Sequence, residues 1–251
     1  MTGAIVLTGL GTLRSGAGLV TLAVPDPCLE TVAAHDPCYM TIALPDDTHG
    51  RLSRAAEEQL LELADHATAV GCGPGLGRSD ALNQLVRALY TTVSRPIVVD
   101  ADALNALAGQ SAGLSTPGGP RVLTPHPGEF DRLAGRRAGS TEERQELAVE
   151  LARAHDVVVV LKGHRTWITD GQESHHNETG NPGMATGGAG DVLTGVITAL
   201  LCQGWDPLAA ARLGTHVHGR AGDLAAQRYS AVSMTARDIV SCLPEAWLLQ
   251  Q

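Results

Sequence analysis

A chain of 251 residues with 43% hydrophobic content carries enough apolar material for one large α/β domain over residues 1–251. Its net charge of −9 leaves 18 basic residues, with no block that could track a nucleic-acid backbone or a lipid surface. No apolar run approaches a membrane span and no basic lead opens an export signal, so neither nucleic acid nor membrane is expected as a partner. Five cysteines without a Cys-x-x-Cys pair argue against a disulfide framework and place the chain in a reducing cytoplasm.

In chain order, short apolar runs bounded by Gly or Pro predict strands at residues 19–24, 40–44, 67–70, 97–99, 122–123 and 157–161. Helical periodicity lies between them, in Leu60, Leu61 and Ala64, then Leu82, Leu85, Val86 and Leu89, then Leu147, Leu151 and Ala152. Residues 109–120 and 135–140 read as surface loops. Three successive helices follow, at 192–201, 207–227 and 235–249, with Asp206 capping the second and Pro207 in its first turn. Strand alternating with helix predicts a mainly parallel central sheet with helices on both faces.

Several segments carry possible chemistry. The run Thr186-Gly187-Gly188-Ala189-Gly190-Asp191 leads straight into an apolar helix. Glycines let the N–H groups of Gly187, Gly188, Ala189 and Gly190 turn toward one point, where the positive end of the helix dipole stabilises an anion such as a phosphoryl group. Asp191, in the first turn, is placed to accept a proton from a hydroxyl that attacks that group. The bland alternative is a Gly-rich loop whose Asp only caps a helix.

Lys162 closes a buried strand and opens the segment Lys162, Gly163, His164, Arg165 and Thr166, on the rim where open α/β sheets bind ligands. Taken singly, a lysine at a strand end more often snorkels into water. His126 stands between Pro125 and Pro127 in an extended, rigid loop that leads into Gly128-Glu129 and a helix. Asp100 and Asp102 follow another strand, where Mg²⁺ could be held through water, although Asp102 could instead only cap the next helix. Residues 71–77, Gly-Cys-Gly-Pro-Gly-Leu-Gly, lack the Gly-x-Gly-x-x-Gly spacing and fit a backbone wall, which disfavours a dinucleotide-binding dehydrogenase. His175-His176 and His216-x-His218 lack the partners of a zinc site, and no resident metal site is expected. Gly16-Ala17-Gly18, between a helix and a strand, reads as a C-cap or packing feature.

Together these segments, with Thr2-Gly3-Ala4 and Arg14-Ser15-Gly16-Ala17-Gly18-Leu19-Val20, resemble the ADP/ATP-dependent NAD(P)H-hydrate dehydratases along nearly the whole chain. The most specific match runs from Gly180 to Leu193; sugar kinases share little beyond Gly-Ala-Gly-Asp. The resemblance implies a ribokinase-like fold. It also implies dehydration of the S-epimer of NADH or NADPH hydrate at the expense of ADP or ATP, with Mg²⁺, in a cytoplasmic homotetramer. The family's substrate contacts fall on Ala4, Gly75, His126 and Asp191, and its nucleotide contacts on Lys162 to Thr166 and Gly190. Family members usually begin with a strand and a Gly-rich turn that adjoin the pocket, and some carry a fused epimerase domain. The expectation is that the true start lies upstream, that the strand comes from elsewhere, or that the first sheet position is empty. The rival readings are a small-molecule kinase of the same fold and a catalytically impaired nucleotide-binding relative.

Overall fold

The computed structural model describes residues 1–108 and 114–249; part of the expected loop at 109–120, namely 109–113, lies outside the described residues. Six strands form the main sheet in the order β3 (Val70–Cys72), β4 (Ile97–Val99), β5 (Arg121–Leu123), β6 (Val158–Leu161), β7 (Trp167–Thr169) and β8 (Ser174–His176). The first four are parallel and the last two add as an antiparallel hairpin. Strands β1 (Thr21–Pro25) and β2 (Met40–Leu44), expected among the rest, pair with each other in a separate parallel sheet.

Strand alternation distributes the core. Ile97, Val99, Leu123, Val159 and Leu161 face one side and pack against α4 (Asp80–Thr92), α5 (Ala101–Ala108), α6 (Pro127–Leu133) and α7 (Thr141–His155). Val98, Val122, Val158 and Val160 face the other, against α8 (Ala189–Cys202) and α9 (Pro207–Tyr229). Strands β4, β5 and β6 are buried on both faces, which is why their apolar residues run on continuously instead of alternating. The side chain of Asp206 caps α9 as the sequence implies, accepting from Leu208 and Ala209 N–H. Further helices are α1 (Thr2–Leu13), the short α2 (Leu29–Ala33), α3 (Glu57–His66) and α10 (Ala236–Leu248).

Arg121, in β5, is an unexpected charge in the core. It is 1% exposed, and its guanidinium donates to the carbonyls of Tyr90 and Val93 at the end of α4 and to Arg95 O. The electronegative end of the helix thereby offsets a charge that has no carboxylate partner.

Helix α8 is central, buried from Val192 to Leu201, and α1 crosses it at glycines. A Cβ on Gly11 would lie 2.7 Å from Val192 O, and one on Gly195 would collide with Thr8 O. The backbones are close enough for Thr8 Oγ1 to donate to Asp191 O at 3.0 Å, so the packing of α1 fixes the first turn of α8. Gly195→Ala is therefore expected to destabilise the fold by about 1–3 kcal/mol, seen in thermal denaturation as a midpoint lowered by roughly 3–10 °C. An unchanged midpoint would contradict this account of the crossing.

Candidate active site

The parallel strands all end on one rim. From β4 the chain enters Asp100, whose carboxylate is 1% exposed. Its Oδ1 receives Lys162 Nζ, at the end of β6, at 2.7 Å, and its Oδ2 receives Thr194 Oγ1, from α8, at 2.8 Å. Lys162 is itself set by its backbone N–H, which donates to Pro125 O at 2.8 Å. Next to Asp100, Ala101 adopts φ +48°, a left-handed conformation that costs energy for any residue with a Cβ and that neighbouring contacts must hold in place.

Helix α8 begins beside this cluster. Gly188 is its N-cap with φ +90°, a conformation open to glycine. Gly187 has open space where a Cβ would be, and a Cβ on Gly190 would lie 3.1 Å from Lys162 Nζ. Ala189 N–H donates to Thr186 O at 3.4 Å, and the other N–H groups at the start of a helix lack an intrahelical acceptor, which makes this end receptive to an anion. Asp191 lies half-buried in this turn.

The loop after β3 forms the facing wall, as its composition implied. Gly73, at φ +123°, leaves no room for a Cβ against Asp100 O, and Gly75 packs against Ala4 of α1. Ala4 O accepts from the same Thr8 hydroxyl that reaches Asp191 O. Asp102 caps nothing: its carboxylate receives Gly77 N–H at 2.9 Å and Arg78 Nε at 3.4 Å, tethering the loop. At the expected Mg²⁺ position, Asp100 is thus held by Lys162 and Thr194, and Asp102 by Gly77 and Arg78. Among the described residues no group of three His, Cys, Asp or Glu side chains could hold a metal.

His126 has a structural task. Its Nδ1 accepts from Gly128 and Glu129 N–H as the N-cap of α6, while Glu129 Oε2 accepts from His126 N–H. With Nδ1 accepting, the ring N–H is on Nε2, which lies 3.3 Å from Oε1 of the buried Glu129. Residues Gly163 to Thr166 form the turn between β6 and β7 on the same rim. There Thr166 Oγ1 donates to Gly163 O and Arg165 pairs with the exposed Glu178. Thr194 was not singled out by sequence reasoning; it sits inside an apolar helical run, and its only signal is its place one turn after Asp191.

A family model for NAD(P)H-hydrate dehydratases matches residues 1–245. The chain belongs to the NAD(P)H-hydrate dehydratase family. It is 48% identical over 247 residues to a bifunctional NAD(P)H-hydrate repair enzyme of Moorella thermoacetica, covering 97% of this chain and 46% of the relative. It is 35% identical over 252 residues to the ADP-dependent (S)-NAD(P)H-hydrate dehydratase of Bacillus subtilis, covering 98% of this chain and 85% of that protein. The chain thus spans about half the length of the bifunctional relatives. Its structure superposes on a B. subtilis ADP/ATP-dependent dehydratase crystallised with ATP and Mg²⁺, at a TM-score of 0.83 and 30% identity, covering 100% of this chain and 88% of that one. A ribokinase-like protein of Enterococcus faecalis matches at a TM-score of 0.80, 26% identity and 99% and 82% coverage. The fold is ribokinase-like, as the resemblance implied.

Within this family member, the rim has unusual electrostatics. Burial pushes the Asp191 carboxyl up to about 6, the nearby Asp100 carboxylate pushes in the same direction, and Lys162 opposes both. Behind the first turn of α8, burial holds His218 down at about 4, so it stays neutral near Lys162. These causes have signs that can be tested. In an NMR titration, Asp191 should ionise near pH 6. The midpoint should fall in Asp100→Asn, which removes a like charge, and rise in Lys162→Met, which removes the opposing one. Shifts of the reverse sign would overturn the assignment.

Proposed function

We propose that residues 1–251 act as one catalytic domain, a hydro-lyase that restores NADH or NADPH from the S-epimer of its hydrate at the expense of ADP or ATP. The observation that carries this is the convergence of an open helix N-terminus, the Lys162 ammonium and a desolvated carboxylate, Asp191, in a chain whose whole length matches the family. ADP is taken as the working nucleotide because the B. subtilis relative is named for it.

Hydroxide is a poor leaving group, so the reading assigns two steps. The ring hydroxyl first attacks the terminal phosphoryl group of the nucleotide while Asp191 accepts its proton, and the bridging P–O bond breaks to release AMP from ADP, or ADP from ATP. Gly187, Gly188, Ala189 and Gly190 present N–H groups to the transferring phosphoryl, and Lys162 adds a fixed positive charge. The carbon–oxygen bond then breaks with phosphate leaving, driven by the ring-nitrogen lone pair, and loss of a ring proton restores the dihydropyridine. The hydrate lies against Ala4, Gly75 and His126. The nucleotide lies along Lys162, Gly163, His164, Arg165, Thr166 and Gly190. Because Asp100 and Asp102 are occupied, the residues present fit a Mg²⁺ that arrives on the nucleotide phosphates better than a resident one. When bound it supplies charge neutralisation to those phosphates.

This reading includes cytoplasmic work, supported by the lack among the described residues of any helix long and apolar enough to cross a membrane. It also includes assembly as a homotetramer, for which the exposed Leu19 and Met40, at the start of β1 and β2, offer apolar surface.

The deciding experiment incubates the chain with hydrated NADH or NADPH and ADP. The reduced-nicotinamide absorbance should return only when nucleotide is present. Turnover of a sugar or vitamin alcohol instead would favour a kinase. Asp191→Asn should lower kcat by roughly 100- to 10,000-fold with nucleotide affinity retained, and full activity would remove its role as base. Since a base must be ionised, the wild-type rate should fall as pH drops through about 6. Lys162→Ala should weaken ADP binding, and an unchanged affinity would place that lysine outside the nucleotide site.

A further inference from the structure

Beside the rim lies a cavity of about 580 Å³ that the chemistry above does not use. Its wall carries Arg78, Arg132, Arg136 and Arg137 together with the amides of Asn83 and Asn105. In a chain with 18 basic residues and a net charge of −9, four guanidiniums around one cavity need a physical reason. The acidic group in the lining is Asp131, and Arg144 already holds it, with Nε 2.9 Å from Oδ1. Arg136 is drawn to Glu143 at 2.8 Å. Arg137 makes no ion pair or hydrogen bond among the described residues, and although its charge is felt by the Asp131 carboxylate, its N–H donors are left for a ligand.

The cavity is built and not merely a patch of exposed arginines. Gly135, at φ +70°, turns the chain after α6, and Asp131, Glu143 and Arg144 brace the turn that presents Arg136 and Arg137. Arg132 Nε donates to Asn105 Oδ1 at 2.8 Å, and Asn105 Nδ2 donates to Ala101 O. Asp102 joins the cavity to the catalytic rim: it holds Arg78, and its charge is felt by Asp191. From His126 to Arg132 is a rise of roughly 9 Å along α6.

The order of the strands decides which ligand reaches it. The arginine cavity and the proposed hydrate contacts at Gly75 and His126 follow β3, β4 and β5, whereas the proposed nucleotide contacts follow β6. A dinucleotide whose nicotinamide end lies at Asp191 has its phosphate-bearing adenosine arm free to extend over the β3–β5 half. We propose that the arginine cavity receives the adenosine arm of the hydrate and selects for the ribose 2′-phosphate that distinguishes NADPH hydrate from NADH hydrate. Guanidiniums match a phosphate through paired N–H donors, and the two asparagines suit the neighbouring sugar hydroxyls.

This inference rests on the dehydratase reading, and its test separates the two. NADPH and NADH, the reaction products, differ only in that phosphate and are fluorescent. Each is titrated into the chain with ADP saturating, so that the nucleotide site is filled. NADPH should bind on the order of tenfold more tightly. The preference should shrink to near parity in Arg137→Ala and in Arg132→Gln, with NADH affinity changed less than about threefold, since a group absent from NADH cannot lose contacts. Arg137 is exposed and makes no hydrogen bond among the described residues, so its replacement leaves the packing intact and keeps the test valid if Arg132→Gln misfolds. Equal affinities in the unsubstituted chain, or a preference that survives Arg137→Ala, would overturn the proposal. A phosphate preference that depends on Arg137, in a chain that turns over neither hydrate, would keep the cavity assignment and remove the dehydratase reading. Turnover of both hydrates without any such preference would do the reverse.

Discussion

The buried carboxylate of Asp100 is the constraint on which the site depends. A carboxylate that is 1% exposed is tolerable only if its charge and lone pairs are answered, and here Lys162 and Thr194 answer them. Those two partners come from β6 and from α8, so a single ionised group ties a strand end, its neighbour two places along the sheet and the central helix to one another. Removal of either partner would leave an uncompensated charge in the core, which is the costly outcome for a buried pair. The ion pair is best understood as fixing geometry: it aims the ammonium at Gly190 and holds the start of α8 where the parallel strands end.

The same constraint sets the electrostatics. Asp191 stands in the field of Asp100 with Lys162 between opposing demands, and burial adds to the like-charge effect. A carboxylate poised near neutrality is a stronger proton acceptor than one in water and is still ionised at physiological pH, which suits a general base. Fold and chemistry share their parts. The α1–α8 crossing that needs Gly11 and Gly195 also delivers the Thr8 hydroxyl to Asp191 O, and the loop that wedges Gly73 against Asp100 is tied to Asp102 beside the arginine cavity.

Much of this was legible in the sequence, for physical reasons. Continuous apolar runs such as Ile97–Val99 mark strands buried on both faces, and the Gly-Gly-Ala-Gly-Asp run before an apolar helix marks an open N-terminus, because both signals are local. What escaped depends on partners far along the chain. Strands β1 and β2 have ordinary strand sequences, but nothing in them says that they pair apart from the main sheet. The hairpin of β7 and β8 lacks an apolar run; the Asp170-Gly171 turn was its one local sign. The partner of Asp100, Lys162, lies 62 residues away and cannot be seen from the segment that carries the carboxylate. The capping bonds of His126 depend on a ring orientation that no spacing reveals. The guanidiniums of the arginine cavity are scattered from Arg78 to Arg137, and only folding gathers them.

In the proposed reaction the ring hydroxyl first becomes a phosphate and only then leaves. This order is tested most directly by placing a heavy-oxygen label in that hydroxyl and following it through turnover with ADP. Phosphorylation before elimination requires the label to leave in inorganic phosphate. Label recovered in water, with nucleotide consumed independently, would contradict the account and leave Asp191 without a phosphoryl transfer to serve.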